Sequence, residues 1–313
     1  MIFDAHGDIL TDIFDEARKG NTNSFRSKHY PKYILGNVTQ GIFVNWTDPN
    51  NCNQSYFDAV FDIAIDELKR NSDIVSICYK YEDLIQANNQ NKLGIILGIE
   101  GVKYLSKPED IIKLYQKGIR HVGLTWNEAN SYAGGVSFPE HGLTGKGRRL
   151  LHIMQDLHMI IDLSHANPKS FDEILSATKG PIIISHGNVK ALCDHPRNYT
   201  DEQLLKIKSR NGVVGLCAVA NFISKDPELQ TITYLAKHID YLVKLIGIDH
   251  VGLGLDVCYY LSEGKTSTGV KGLEAIAEAK NIITELKLLG YKDLEIDKIT
   301  HLNFQRVIKD VLI

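Results

Sequence analysis

In this 313-residue chain, six side chains able to hold metals or move protons each lie within three residues of the end of a short apolar run. His6 and Asp8 follow the run Ile2–Ala5 as Asp4-Ala5-His6-Gly7-Asp8. Glu100 follows Leu93–Ile99, His165 follows Met159–Ser164, His186 follows Pro181–Ser185, and Asp256 ends Val251–Asp256. Three imidazoles and three carboxylates, with no thiol among them, are a ligand set that suits Zn²⁺ and neighbouring divalent ions. Residues i and i+2 of an extended strand face the same side, so His6 and Asp8 can reach one ion. Each group also has a structural reading. A histidine at a run's end can be a hydrogen-bonded core residue, Glu100 can cap a helix, and Asp256 can start a turn. It is the set, rather than any member, that points to a metal site.

The runs that must position these groups alternate with amphipathic segments. Strands are expected at Ile2–Ala5, Gly41–Trp46, Leu93–Ile99, His121–Trp126, Met159–Ser164, Pro181–Ser185, Val213–Val219 and Val251–Asp256. Most are nearly continuous apolar stretches, the pattern of strands buried on both faces of a parallel sheet. Helices are expected between them. In Ser55–Arg70 the residues Phe57, Val60, Phe61, Ala64, Ile65 and Leu68 recur at helical spacing; Thr231–Ile246 and Leu273–Leu289 repeat the pattern, the latter stopping at Gly290. Loops are expected at Lys19–Lys32, Asp48–Gln54, Gln86–Lys92, Ser224–Glu228 and Ser262–Thr268. About eight strands separated by helices predict an α/β fold, a (β/α)8 TIM barrel, filling residues 1–313 as one domain. An open doubly wound sheet is the competing arrangement, but no GxGxxG follows the first strand. In such barrels catalytic groups lie at the C-terminal ends of the strands, which is where the six residues stand.

Composition narrows the function classes. A hydrophobic fraction of 43% and a charged fraction of 23% are globular values. Lys+Arg of 35 against Asp+Glu of 38 gives a net charge of -3 with no block of one sign, so nucleic acid and membrane surfaces are not expected partners. The five cysteines, Cys52, Cys78, Cys193, Cys217 and Cys258, form no CxxC pair and read as free thiols of a reducing compartment, with Cys217 and Cys258 as buried ones. Neither a secretory leader nor an apolar anchor tail is recognisable, so a cytoplasmic protein is expected. Asn45-Trp46-Thr47 matches a glycosylation triplet that carries no weight in that setting. Gly142-Leu143-Thr144-Gly145-Lys146-Gly147 lacks the Ser/Thr and the preceding strand of a phosphate loop, Arg148-Arg149 reads as a solvated helix start, and no Gly-x-Ser-x-Gly elbow is present.

The ordered set Asp4-Ala5-His6-Gly7-Asp8, Gly98-Ile99-Glu100-Gly101, Leu124-Thr125-Trp126-Asn127, Asp162-Leu163-Ser164-His165, Ile184-Ser185-His186-Gly187-Asn188, Arg197-Asn198, His238-Ile239-Asp240-Tyr241 and Asp249 through Asp256 spans most of the chain. It resembles the renal (membrane) dipeptidase family, the M19 metallopeptidases of the amidohydrolase-like barrels. The resemblance implies a metallo-dipeptidase with two divalent ions, most often zinc. His6 and Asp8 would hold one ion, His165 and His186 the other, and Glu100 would bridge them. A metal-bridging hydroxide would attack the scissile carbonyl, with Asp256 as proton shuttle. Arg197 would grip the free C-terminal carboxylate of a dipeptide, with Asn198 and Trp126 beside the substrate, and homodimers are common in the family. Trp126 stands where animal members carry a histidine, as in many bacterial relatives. Val257-Cys258-Tyr259-Tyr260 replaces the usual Phe-Asp-Gly, and His301-Leu302-Asn303 a usual Gly-Gly-Asn. Two other readings stay open here: a hydrolase of cyclic amides, lactones or phosphoesters on the same barrel, and an inactive metal-binding scaffold.

Overall fold

The structure is a computed structural model that describes residues 1–46, 53–262 and 268–313. Cys52, Thr47, and most of the expected loops Asp48–Gln54 and Ser262–Thr268 lie outside them. Nine strands occur among the described residues: β1 (Ile2–Gly7), β2 (Val38–Trp46), β3 (Val75–Ile77), β4 (Leu93–Glu100), β5 (Ile119–Gly123), β6 (Ile160–Asp162), β7 (Ile183–Gly187), β8 (Val213–Leu216) and β9 (Val251–Leu253). The ladder runs β1-β2-β4-β5-β6-β7-β8-β9, with β3 attached to β4. The pairings β4–β5, β5–β6, β6–β7 and β8–β9 are parallel, with helices in the connections, and the architecture is a (β/α)8 barrel.

By internal packing the chain falls into two compact units, one of Met1–Gly7, Ser24–Gly41 and Ile184–Val307, the other of Asp8–Asn23, Ile42–Ile183 and Ile308–Ile313. In the first unit, the β9 segment returns to β1: the Asp256 N–H donates to His6 O at 3.3 Å and the Leu255 N–H to the Asp4 carboxylate at 2.7 Å. Phe3 stacks on Phe304 with ring centroids 5.4 Å apart. Ser185 O lies so near Gly215 and Gly254 that a Cβ on either would overlap a backbone atom, which cannot step aside. Glycine there lets the segments bearing His186 and Asp256 close up. Gly254→Ala is expected to cost about 3 kcal/mol in denaturant unfolding, the upper range for overpacking; an unchanged midpoint would show that the strands part without cost.

In the second unit, Phe57, Val60, Phe61, Ala64, Ile65 and Leu68 are all buried on the helix Gln54–Arg70, which Asn53 caps by accepting the Tyr56 N–H at 3.0 Å. Thr144 caps the helix Gly145–Asp156 in the same way, so the glycine-rich segment before it is a helix start. Arg148 and Arg149 are exposed there.

Several expectations need correction. Lys19–Lys32 is not a plain loop: helical turns cover Phe25–His29 and Tyr30–Leu35 because Phe25 and Tyr33 are buried despite charged neighbours. The helix Tyr81–Asn89 runs into Gln86–Lys92, burying Leu84 and Ala87. Leu273–Leu289 is not one helix but a short turn Ile276–Glu278 followed by Asn281–Leu288, although Gly290 does end it with φ +92. β3 went unforeseen, being only Val75–Ile77 beside polar residues. No helix among the described residues is long and apolar enough to cross a membrane.

His238, on the helix Ile232–Ile246, is buried and accepts the Val189 N–H at 3.3 Å, while its Nε2 meets Ile223 O at 2.9 Å. Burial lowers its pKa to about 4, so the folded protein holds it neutral. The unfolded chain takes up this proton below pH 6.5 and the folded one only near 4. Stability present above pH 6.5 is therefore lost as pH falls toward 4, by about 3 kcal/mol for this residue. His301 is lowered alike and adds to the slope. His238→Gln is expected to flatten the Tm–pH curve in that window by one proton's share; an unchanged slope would assign it elsewhere.

Candidate metal centre

In the first unit, the end of β1 brings His6 against His186 of β7, ring centroids 3.8 Å apart and tilted by 38°, both rings buried. The His186 Nδ1 is 2.9 Å from the Ser185 hydroxyl, a contact that orients the ring. Asp4 shares the inward face of β1 with His6. Its carboxylate accepts the N–H groups of Leu255 and His6, yet burial pushes its pKa up to about 7. Asp256 lies three residues beyond β9 rather than at its end, in the left-handed region at φ +53. His165 has the same conformation, φ +66, three residues beyond β6. Such backbone is uncommon for a side chain of either type and re-aims it away from the strand direction.

Arg197 stands in the turn after β7, 5% exposed, with its guanidinium 5.7 Å from the Phe222 ring. Its two terminal nitrogens are buried and meet no hydrogen-bond partner among the described residues. Asn198 braces this turn, donating from Nδ2 to Cys193 O and Phe222 O at 2.8 Å each; its Oδ1 is the atom left for a ligand.

In the second unit, the last residue of β4, Glu100, places Oε1 2.8 Å from the Nε2 of His165. The other ring nitrogen of His165 lies 2.8 Å from the Asn127 side-chain oxygen. With the Nδ1 proton held by Asn127, the Nε2 lone pair and a carboxylate oxygen face the same point, which only a proton or a metal ion can reconcile. The turn carrying His165 is pinned by Asp162, whose Oδ1 accepts both the N–H and the hydroxyl of Ser164 at 2.9 Å. Its Oδ2 lies 3.1 Å from the buried His121. Asp8 precedes the helix Ile9–Arg18 without capping it, so its carboxylate is not spent on the helix end. Trp126 packs 6.1 Å from His165 and edge-on to Trp46 at 5.5 Å.

In each unit the donors are imidazole nitrogen and carboxylate oxygen, the rings buried and the Asp8 and Asp256 carboxylates half-buried, and this set fits divalent metal ions. Two supporting side chains, His121 and Asn127, receive no site role from the sequence. His121 begins its apolar run, where attention to run ends passes over it. Asn127 follows Trp126 and was legible by that same criterion. Cys217 and Cys258 read in the sequence as buried thiols, and both are buried, like the other free cysteines described.

The family model of the membrane dipeptidases matches residues 1–312. A Klebsiella pneumoniae protein known by its place in the pqqA 5′ region is 34% identical over 246 residues, 75% of this chain and 88% of its own length. Dipeptidase tcpJ of Claviceps purpurea is 29% identical over 244 residues; the match takes in 77% of this chain but only 56% of that larger protein. Among solved structures, the metallopeptidase dipeptidase AC aligns with a TM-score of 0.89 at 22% identity, over 99% of this chain and 98% of its own. A Rhodobacter sphaeroides metallopeptidase liganded with a phosphinate mimic of L-Ala-D-Ala aligns at 0.88 and 22%, over 99% of both. These structural likenesses establish the fold; the family model and the Klebsiella relative establish descent. The chain belongs to the membrane dipeptidases, peptidase family M19.

Proposed function

We propose that the protein is a zinc-dependent dipeptidase that requires a free C-terminal carboxylate, the whole of 1–313 acting as one metallohydrolase domain. The observation that carries this reading is Arg197. A buried guanidinium with two unpartnered nitrogens costs several kcal/mol unless an anion meets it. A carboxylate matches its fork in bidentate fashion, and a substrate that supplies one restores the balance on binding. Family membership supports the same substrate class.

His6 and Asp8 would hold one ion and His165 and His186 a second, with Glu100 shared between them. The ions, when bound, supply Lewis acidity and a water acidified toward neutral pH. The chain's own residues do the rest. Asp256 takes the proton released by the attacking water and returns it to the leaving amine, as general base and then general acid. Arg197, steadied by the Asn198 brace, sets the distance from the carboxylate end to the scissile bond. Trp126, backed by Trp46, forms an apolar wall beside His165 for a substrate side chain. The reading takes the protein as cytoplasmic, which the free cysteines support, and as able to form homodimers.

Arg197→Met tests it. Removing a charge-assisted hydrogen-bonding partner is expected to raise KM for free dipeptides about ten- to a hundredfold, from about 1.5–3 kcal/mol. The wild type is expected to reject C-terminal amides by a similar factor. Equal rates on dipeptides and their amides would remove the carboxylate clamp.

A further inference from the structure

The Asp256 carboxylate is flanked by two thiols. Cys217 Sγ lies 3.8 Å from Oδ2 and Cys258 Sγ lies 3.6 Å from Oδ1, so each oxygen faces one sulfur. Both thiols are themselves held. The Asn188 side chain grips the Cys217 backbone from both sides, accepting its N–H at 3.3 Å and donating to its carbonyl at 2.9 Å. Cys258 donates its N–H to the Thr268 hydroxyl at 3.3 Å, and the Tyr260 hydroxyl reaches its sulfur at 3.7 Å. Tyr260 is wedged edge-on to His29, whose Nδ1 is 2.7 Å from the Tyr259 hydroxyl. Two hydrogen-bonded segments thus converge on one carboxylate whose backbone is in the left-handed region.

We propose that Cys217 and Cys258 are positioning residues: their S–H groups clamp the two oxygens of Asp256 and fix the orientation in which it moves the proton. The Cys217 thiol is suited to donating rather than to attacking, because burial and then the Asp256 charge push its pKa well up. Sulfur is a weak donor, so the clamp acts through geometry more than through strength. An aspartate left to rotate in a left-handed turn would spend much of its time out of line with the substrate. The Val257-Cys258-Tyr259-Tyr260 sequence after the shuttle therefore has a use that a plain loop would not.

The inference rests on Asp256 being the shuttle, and its test separates the two ideas. In the metal-loaded protein, the infrared S–H bands of Cys217 and Cys258, assigned by difference against Cys217→Ala and Cys258→Ala, are expected at lowered frequency and should rise in Asp256→Asn. This readout needs no substrate. Each alanine variant is expected to lower kcat about three- to tenfold with KM and metal content unchanged. Cys217→Ser and Cys258→Ser, which keep a donor, should recover most of it, and in an Asp256→Asn background alanine should have no further effect. S–H bands indifferent to Asp256→Asn, alanine variants with full kcat, or serine variants no better than alanine would each overturn the clamp. If no dipeptide is turned over at all, the infrared result still decides the clamp and only the substrate reading falls.

Discussion

Asp256→Asn is expected to keep its fold and both metals and to lose roughly 10²–10⁴-fold in kcat, the usual contribution of general acid–base catalysis. An amide of nearly the same shape can receive a hydrogen bond from only one of the two neighbouring thiols, but it fills the same space and keeps the backbone bond from Asp256 N to His6 O. What it cannot do is take a proton and give it back. KM should change far less, since the lost interaction acts on the proton in transit. A competing role is that Asp256 merely orients a metal-binding neighbour, His6 being in backbone contact. Loss of an orienting group lowers metal affinity by about 10–100-fold, and activity then returns with excess zinc. Metal content and steady-state kinetics of the one variant separate these outcomes. A fully metallated variant with near-normal kcat would remove Asp256 from the proton pathway.

Glu100→Gln is expected to have an effect of comparable size through a different quantity. A carboxylate shared between two cations offers one negative charge to both, and a neutral amide offers none. Affinity for both ions should fall by more than the 10–100-fold typical of a supporting residue, with activity falling in step. The alternative is a structural Glu100–His165 pair, since the 2.8 Å contact would serve as a hydrogen bond once the ring is protonated. In that case the amide still accepts from His165, and dialysis against a chelator would strip variant and wild type alike. Retention of two tightly bound ions with full activity would show that Glu100 is not the bridge.

Much of this architecture was legible because it depends on short-range pattern. Eight apolar runs became strands, and the helix Gln54–Arg70 buried the six residues that its spacing picked out. The chemical groups near the ends of those runs were visible for the same reason. Their exact setting was not. His165 and Asp256 lie three residues past their strands in left-handed turns, a conformation that a run of hydrophobicity does not encode. The partners of these groups come from distant parts of the chain: Asn127 reaches His165 across 38 residues, and Cys217 reaches Asp256 across 39. Composition made Cys217 an ordinary buried thiol, and only the fold reveals what it is buried against. The unforeseen Phe25–His29 turn shows the converse, since a polar-looking stretch became ordered around one buried aromatic ring.

If the imidazoles and carboxylates of this chain form a two-metal centre that cleaves dipeptides, zinc must restore activity to the stripped wild-type protein in step with its binding. Ions bound per chain and initial rate on a free dipeptide can be read from the same samples of a zinc titration. No hydrolysis is expected without metal, and the rate is expected to rise to a plateau at two zinc ions per chain. Full activity in the stripped protein, or a protein carrying two ions that cleaves no dipeptide, would contradict such a centre.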